Sequence, residues 1–405
     1  TPSYPEAILS SNIRSLIKDV ETNPSAMNVQ SLLETSENEF QYIVKYADEI
    51  KSQIHGSEIS FVVNRNINYT NICSFKCNFC AFSKGKGHDD LRGMPYNISE
   101  EEIIRRTKEA IDRGATEVCL QGGIHPKFSG ETYLDIVRAI RSVSDSIHIH
   151  AFSPLEIDHG RKTLNISVKD FLIELKNVGL NSLPGTAAEI LHDDIRAIIC
   201  PDKLNSNEWV EIIKAAHSVG LPTTSTMMFG HVENMSHVAH HLIRLLEIQN
   251  STNGLTEFVP LPFVAEEAPI FRRGKSRPGP TFKETILVHS VARILYNGSI
   301  NNIQGSWVKM GLPGLKYLLS SGINDIGGVL MNESITRSAG ASFGQELNLD
   351  DVLTIIDELG LNLKQRNTLY HSLTNDIQDL INLQSIPLIP IINEYHQPKK
   401  ITTTV

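Results

Sequence analysis

Cysteine is scarce in this chain: five in 405 residues, too few for the disulfide framework of a small extracellular domain. Tryptophan is scarcer, with two, and aromatic residues make up only 6%. No run of about 18 apolar residues occurs, which argues against a helical membrane span. Basic residues are outnumbered, 37 against 46 acidic ones, for a net charge of −9. A non-specific nucleic-acid binder needs a basic footprint, so that class is disfavoured. The opening TPSYPEAILSSNIRSLIKDV lacks the basic-then-apolar layout of a secretory signal. These absences predict a cytoplasmic protein with neither nucleic acid nor membrane as a partner. What is present is ordinary globular material, 40% apolar and 20% charged. The length suits two or three small domains, or one large α/β barrel with additions.

Residues 1–55 predict a solvated helical extension, with Leu32, Leu33, Phe40, Ile43 and Val44 at helical spacing and Gly56 as its stop. From residue 57 onward short β-rich runs alternate with amphipathic ones. The predicted strands are 59–64, 116–121, 146–152, 180–184, 222–229, 255–261, 301–307 and 323–330. Helix signatures separate most of them. In SEEEIIRRTKEAIDRG, Ser99 and Glu102 predict a capping box and Gly114 a stop. Alternation of this kind means right-handed βαβ units and a parallel sheet. Eight repeats within about 275 residues predict a (βα)8 TIM-type barrel, placed at residues 56–345. An open doubly wound sheet would carry a Gly-rich dinucleotide fingerprint after its first strand, and none is there. Residues 346–405 predict a helical region, DDVLTIIDELG then LKQRNTLYHSL, and an extended tail with prolines and no period.

The chemistry concentrates in NYTNICSFKCNFCAFS, where Cys73, Cys77 and Cys80 are spaced C-x3-C-x2-C. Thiolates are soft ligands that select zinc, copper(I) or iron–sulfur clusters. A structural zinc would need a fourth ligand, from Cys119, Cys200 or a histidine such as His88. Three close thiolates also suit a 4Fe-4S cluster with one iron left open for a ligand that is not protein. The loop follows the first predicted strand, at the mouth where barrel enzymes place their chemistry. Cys119 and Cys200 read as small buried residues. The second strand ends in CLQGGIHP, and its paired glycines suit either a ligand lying on bare backbone or a tight turn. His148 and His150 alternate on the third strand and face one side, as core residues or as catalytic groups.

The triad, with Phe79 just before its third cysteine, resembles the signature of the radical S-adenosylmethionine (SAM) superfamily. The resemblance implies that Cys73, Cys77 and Cys80 ligate a 4Fe-4S cluster whose open iron chelates SAM. It implies that Gln121, Gly122 and Gly123 cradle the cofactor's amino group, with Ile124 where many members carry an acidic residue. Thr186 and Glu189, past the fourth strand, would serve the cofactor's ribose; a helix N-terminus equally favours such a carboxylate. His148, His150 and Gln304 become candidate catalytic groups.

Other segments extend the resemblance from residue 40 to 371: RNINYTNIC, ATEVCLQGGIHP, HIHAFSPLEI, GLNSLPGTAAEIL, LTEFVPLPF and NIQGSWVKMG. They are similar to the radical enzymes of deazaflavin and futalosine-type menaquinone biosynthesis. SLPGTAAEIL, EFVPLPF and NIQGSWVKMG look most like the tyrosine-dependent 4-hydroxyphenyl transferases of deazaflavin (FO) formation. The implied substrates are L-tyrosine and 5-amino-6-(D-ribitylamino)uracil, whose C5 receives the 4-hydroxybenzyl group. The implied partners are an electron donor and a companion radical SAM cyclase. A futalosine-pathway enzyme is the alternative, and a non-catalytic Fe-S or zinc-binding protein the alternative of another class.

Overall fold

A computed structural model describes residues 11–75, 77–83, 94–338 and 342–397. Its strands are β1 (Glu58–Val62), β2 (Asn64–Ile67), β3 (Glu117–Leu120), β4 (His148–Ala151), β5 (Thr223–Phe229), β6 (Leu255–Pro262), β7 (Asp325–Gly328) and β8 (Asn362–Gln365). β1 and β2 meet at Val63 and make one stave. Around the ring β2 pairs with β3 and β3 with β4. Single bridges lead from His150 to Ser182 and from Leu183 to Thr223 of β5. β5 pairs with β6, and bridges at Phe258–Ile303 and Gln304–Asp325 lead to β7. β7 returns to β1 at Ser60, and every one of these pairings is parallel. The sheet therefore closes as a (βα)8 barrel with its eight predicted staves in order. The fourth and seventh are reduced to bridges at Ser182–Leu183 and Ile303–Gln304. Pro184, which has no N–H to donate, ends the fourth.

The N-terminal extension is helical as expected, over Ser11–Thr22, Ala26–Leu33 and Glu37–His55, and Gly56 (φ 62°) ends it. It is not a solvated appendage. Val20, Val29, Leu32, Ile43 and Ala47 are fully buried, and the last two helices pack on the barrel helices Met235–Thr252 and Phe282–Leu295. Even Lys51 is buried, its ammonium donating to the Leu319 carbonyl at 2.9 Å. The expected capping box at helix Glu100–Asp112 forms by half. Ser99 Oγ accepts from the Glu102 N–H at 3.2 Å, but the Glu102 carboxylate turns to Arg105 Nε (2.7 Å) and Arg106 Nε (2.8 Å). A guanidinium is the stronger partner, because charge-assisted bonds outweigh one to a backbone N–H.

Beyond residue 346 the expectation needs a larger correction. Leu349–Glu358 is helical, but LKQRNTLYHSL is not. Asn362–Gln365 instead pairs in parallel with the lower part of β1, Glu58–Phe61. The chain then turns under the barrel. Arg366 Nε and Nη2 donate to both Asp325 carboxylate oxygens (2.5 and 2.9 Å), and the guanidinium stacks 3.9 Å over the Tyr370 ring. Tyr370 OH donates to Glu257, and Thr368 Oγ1 to Glu117 at 2.6 Å. Asp325 and Glu117 open their strands, so this segment plugs the floor of the barrel with paired charge. Arg366→Met should cost about 3–5 kcal/mol, because it strands the fully buried Asp325 carboxylate without its cation. Chemical denaturation measures this; a loss under 1 kcal/mol would mean that the floor is wet.

The described part of the tail, to residue 397, runs extended, as expected, but it has a period. Leu388 and Ile391 are half-buried while Ile386, Ile389, Ile392 and Tyr395 are exposed, a repeat of three. Arg106 Nη2 holds the Ile392 carbonyl at 3.1 Å, and His396 N–H donates to the Asn97 carbonyl at 2.9 Å.

Candidate active site

The cysteine loop leaves the top of β2 and is tied to three other parts of the mouth. Gly123 N–H donates to the Thr70 carbonyl (2.9 Å) and Ser74 N–H to that of Ile124 (2.9 Å), past the second stave. Asn78 N–H reaches the Ile199 carbonyl (2.9 Å) past the fourth, and Ile270 N–H reaches the Asn78 carbonyl (2.7 Å) past the sixth. Cys73, Cys77 and Cys80 are free thiols, each partly exposed. The Ile124 N–H points at Cys73 Sγ, 3.3 Å away, the kind of amide contact that stabilises charge on sulfur. Burial pushes the Cys77 thiol up to about 12, against the pull of Lys203, and raises Cys80 as well. Such thiols stay protonated in neutral water, and a soft metal must displace the protons.

Gln121, Gly122 and Gly123 lie beside this loop, where the sequence places them, and the glycines have a steric reason. A Cβ on Gly122 would stand 2.5 Å from the Tyr69 ring. One on Gly123 would stand 2.3 Å from the Ile72 carbonyl oxygen and 3.0 Å from Cys73 Cβ. These glycines let the second stave's turn press against the cysteine loop. Behind them sits a residue that the sequence reading passed over. Glu156 accepts from Tyr69 OH, from Ser153 N–H (2.6 Å) and Oγ (2.7 Å), and from Gly122 N–H (3.1 Å). It binds the first three stave ends together. Its local signal was legible, since S-P-L-E at 153–156 is a capping box; its long-range partners were not.

Past the fourth stave the wall is strained. Among the described residues eight non-glycines have positive φ. Five of them, Phe152, Ala187, Glu189, Leu330 and Asn332, lie just past the third, fourth and eighth staves. Such backbone persists only where its surroundings over-determine it, and it gathers at functional sites. Buried Arg196 does that here, with its guanidinium on the carbonyls of Ala187, Ala188 and Leu204. Thr186 Oγ1 is buried without a hydrogen-bond partner among the described residues, an orphan that a ligand hydroxyl would satisfy. Glu189 is ion-paired to Lys203 at 3.2 Å, and the Lys203 ammonium lies 5.0 Å over the Phe79 ring. Lys203, absent from the sequence-based set, thus connects the Glu189 carboxylate to the cysteine loop. Cys77, Glu189, Cys200 and Cys80 face it and raise its pKa against the desolvation that lowers it.

The histidines belong elsewhere. His148 opens β4 in register with Glu117, at the floor end of the barrel, and His150 is level with Cys119. His148 Nε2 and His150 Nδ1 share the Ser182 hydroxyl, 2.7 Å from each. Burial lowers His148 to about 4 and lowers His150 too, although Glu117 opposes it, so both rings are neutral. They line the interior below the mouth rather than stand beside the cysteine loop. Gln304 also points inward: a Cβ on Gly327 would meet its Nε2 at 2.2 Å. Cys119 is partly exposed on the inner wall, not buried, while Cys200 is buried as expected. His88 lies outside the described residues.

Three free thiols, an amide aimed at one of them, a buried cation and an orphaned hydroxyl fit a thiolate-held cluster with a polar ligand beside it. Comparison with known proteins agrees. Residues 67–245 match the radical SAM superfamily, and residues 252–378 match the CofH/MqnC C-terminal region. The chain is 46% identical over 328 residues to the 5-amino-6-(D-ribitylamino)uracil–L-tyrosine 4-hydroxyphenyl transferase of Methanopyrus kandleri, covering 81% of this chain and 88% of that protein. For the enzyme of that name from Methanocaldococcus jannaschii the values are 46% over 342 residues, 84% and 94%. An FO synthase of Mycobacterium leprae is 45% identical over 81% of this chain, which spans only 38% of that longer protein. Among solved structures, methylornithine synthase superposes with a TM-score of 0.66 at 15% identity, over 91% of this chain and 99% of that one. A FeFe-hydrogenase maturase from Carboxydothermus hydrogenoformans gives 0.66 at 14%, over 89% and 80%. At those identities the likeness is one of fold. The sequence similarity is of another order, and with the cysteine loop at the barrel mouth it settles the family: this chain belongs to the radical SAM superfamily, among the 5-amino-6-(D-ribitylamino)uracil–L-tyrosine 4-hydroxyphenyl transferases.

Proposed function

We propose that this protein cleaves L-tyrosine and transfers its 4-hydroxybenzyl group to C5 of 5-amino-6-(D-ribitylamino)uracil. The observation that carries the reading is 46% identity along 88% and 94% of two transferases of that name. Cys73, Cys77 and Cys80 would hold a 4Fe-4S cluster. Its chemistry, when it is bound and reduced, is to cleave SAM to methionine and a 5′-deoxyadenosyl radical. The chain's own residues hold and shield. Ile124 N–H and Lys203 stabilise negative charge on the sulfurs, and Phe79 covers one side of that cation. The turn at Gln121–Gly123, clamped by Glu156, offers backbone to the cofactor's amino group. Thr186 and Glu189 offer oxygen acceptors to its ribose hydroxyls. The plugged floor closes the far end of the barrel, and a primary carbon radical requires exclusion of water.

The ring closure that follows belongs, on this reading, to a companion radical cyclase, and an external donor reduces the cluster. The length of the FO synthase, of which this chain matches 38%, is consistent with a second activity on separate sequence. Among the described residues no helix is long and apolar enough to cross a membrane, and a cytoplasmic location remains part of the proposal.

The decisive assay incubates anaerobically reconstituted, reduced protein with SAM, tyrosine and the ribitylaminouracil, and identifies products by mass. A benzylated uracil adduct that forms only with both substrates is the expected result. Turnover of dehypoxanthine futalosine or of a chorismate-derived enol ether, with none of the tyrosine pair, would replace this reading with the futalosine one.

A further inference from the structure

The reactants on this reading include two α-amino acids, the methionine half of SAM and tyrosine, and each brings a carboxylate. Among the described residues two half-buried lysines follow staves at the mouth. Lys203 is committed to Glu189 on the cysteine side. Lys309 makes no hydrogen bond or ion pair through its ammonium to any described residue.

Lys309 follows the seventh stave, in the first turn of helix Trp307–Leu319. That turn is a step of its own. Gly311, at φ 65°, breaks the helix after Met310, and the Phe343 ring fills the space where a Cβ would stand. Trp307 anchors the step, buried, with Nε1 donating to the Gly328 carbonyl at 2.9 Å. The carboxylates facing the Lys309 ammonium are Glu333, past the eighth stave, and Glu189, past the fourth. Those two staves stand on opposite sides of an eight-membered ring. A group that faces both projects over the mouth. Burial lowers its pKa, with the two carboxylates opposing. A half-buried ammonium with no direct partner in such a place is free to make a charge-assisted contact with an anionic ligand.

We propose that Lys309 binds the α-carboxylate of the amino-acid substrate, L-tyrosine on the function proposed above. This inference rests on that reading and assigns a substrate-holding residue within it. The carboxylate of SAM is the competing ligand of the same chemistry, but Lys203 is the cation beside Cys77, Cys80 and Phe79, where SAM would chelate the open iron. Holding the tyrosine carboxylate at the seventh stave leaves the phenol free to extend across the mouth. A carboxylate held at one point also fixes Cα and Cβ relative to the attacking radical, a positional gain of the kind that binding energy supplies.

The test uses cluster-loaded wild-type protein, Lys309→Gln and Lys309→Arg, with calorimetric binding of L-tyrosine, tyramine and SAM, and thermal melts as a folding check. Lys309→Gln should weaken L-tyrosine roughly tenfold or more, the worth of one charge-assisted contact. It should leave SAM and tyramine, which lacks the carboxylate, unchanged. Lys309→Arg should recover part of the tyrosine affinity, and it decides the matter if the Gln variant melts early. Equal tyrosine affinity in wild type and variants overturns the inference while the transferase reading stands. A loss of SAM affinity in its place overturns it in favour of the cofactor's carboxylate. Wild-type protein that binds no tyrosine fails the substrate reading, and this inference with it.

Discussion

Cys73→Ala, Cys77→Ala or Cys80→Ala, made singly, should each abolish SAM cleavage and leave the barrel standing. The sulfurs sit on a loop outside the strand pairing, and its anchors are backbone hydrogen bonds at Gly123, Ser74 and Asn78 that an alanine keeps. What is lost is the third thiolate, without which a cluster with an open iron has no complete protein ligand set. Reconstituted wild type should carry about four irons per chain and each variant a small fraction of that, with cleavage at background. Cys119→Ala and Cys200→Ala are the controls and should retain iron. Cys119 lies on the inner wall level with His150, away from the loop. Cys200 is the sharper control, because it is near enough to Cys77 to raise its pKa. Iron loss in Cys200→Ala equal to that in the triad would mean four protein ligands and no open iron.

Gly123→Val should be almost as damaging, by a steric route. Its Cβ would meet the Ile72 carbonyl oxygen at 2.3 Å and Cys73 Cβ at 3.0 Å, so the cysteine loop or the turn has to move. Overpacking of this kind costs about 1–3 kcal/mol. Sequence alone suggests that this substitution would weaken the cofactor more than the fold, on the view that the glycine's open face meets SAM. The geometry ties the two together, because the carbonyl it strikes belongs to the residue just before Cys73. Iron content, SAM affinity and melting temperature should therefore fall in parallel, and Gly123→Ala should show a milder form of the same pattern. Full iron and an unchanged melt in Gly123→Ala, with only SAM weakened, would restore the cofactor-facing view.

The staves, their order and the place of the cysteine loop were legible because each rests on a local period or a short spacing. An apolar run of five to eight residues between amphipathic helices reads as a buried parallel strand wherever it occurs. Three thiols within eight residues stay together in any fold. Thr186 and Glu189 were legible for a similar reason, as groups next to a predicted strand end. The errors came where a residue's partner is far along the chain. LKQRNTLYHSL has an acceptable helical pattern, but β1 offers it an unpaired edge, and Asp325, Glu257 and Glu117 offer its Arg366, Tyr370 and Thr368 buried carboxylates. His148 and His150 were correctly put on one face. Which end of the stave they occupy depends on the register with β3, and that register places His148 opposite Glu117. Glu156, Lys203 and Lys309 carried no decisive local mark, since a carboxylate in a capping box, or a lysine in a bend or on a helix, is ordinary. By itself, then, the sequence determined the barrel, the cysteine triad at its mouth and the family, all of which are written in spacings of a few residues. Only the tertiary structure decided which polar groups face the mouth, which plug the floor and which glycines cannot change. Those depend on contacts between residues far apart along the chain, 251 positions for Thr368 and Glu117, and no local period encodes them.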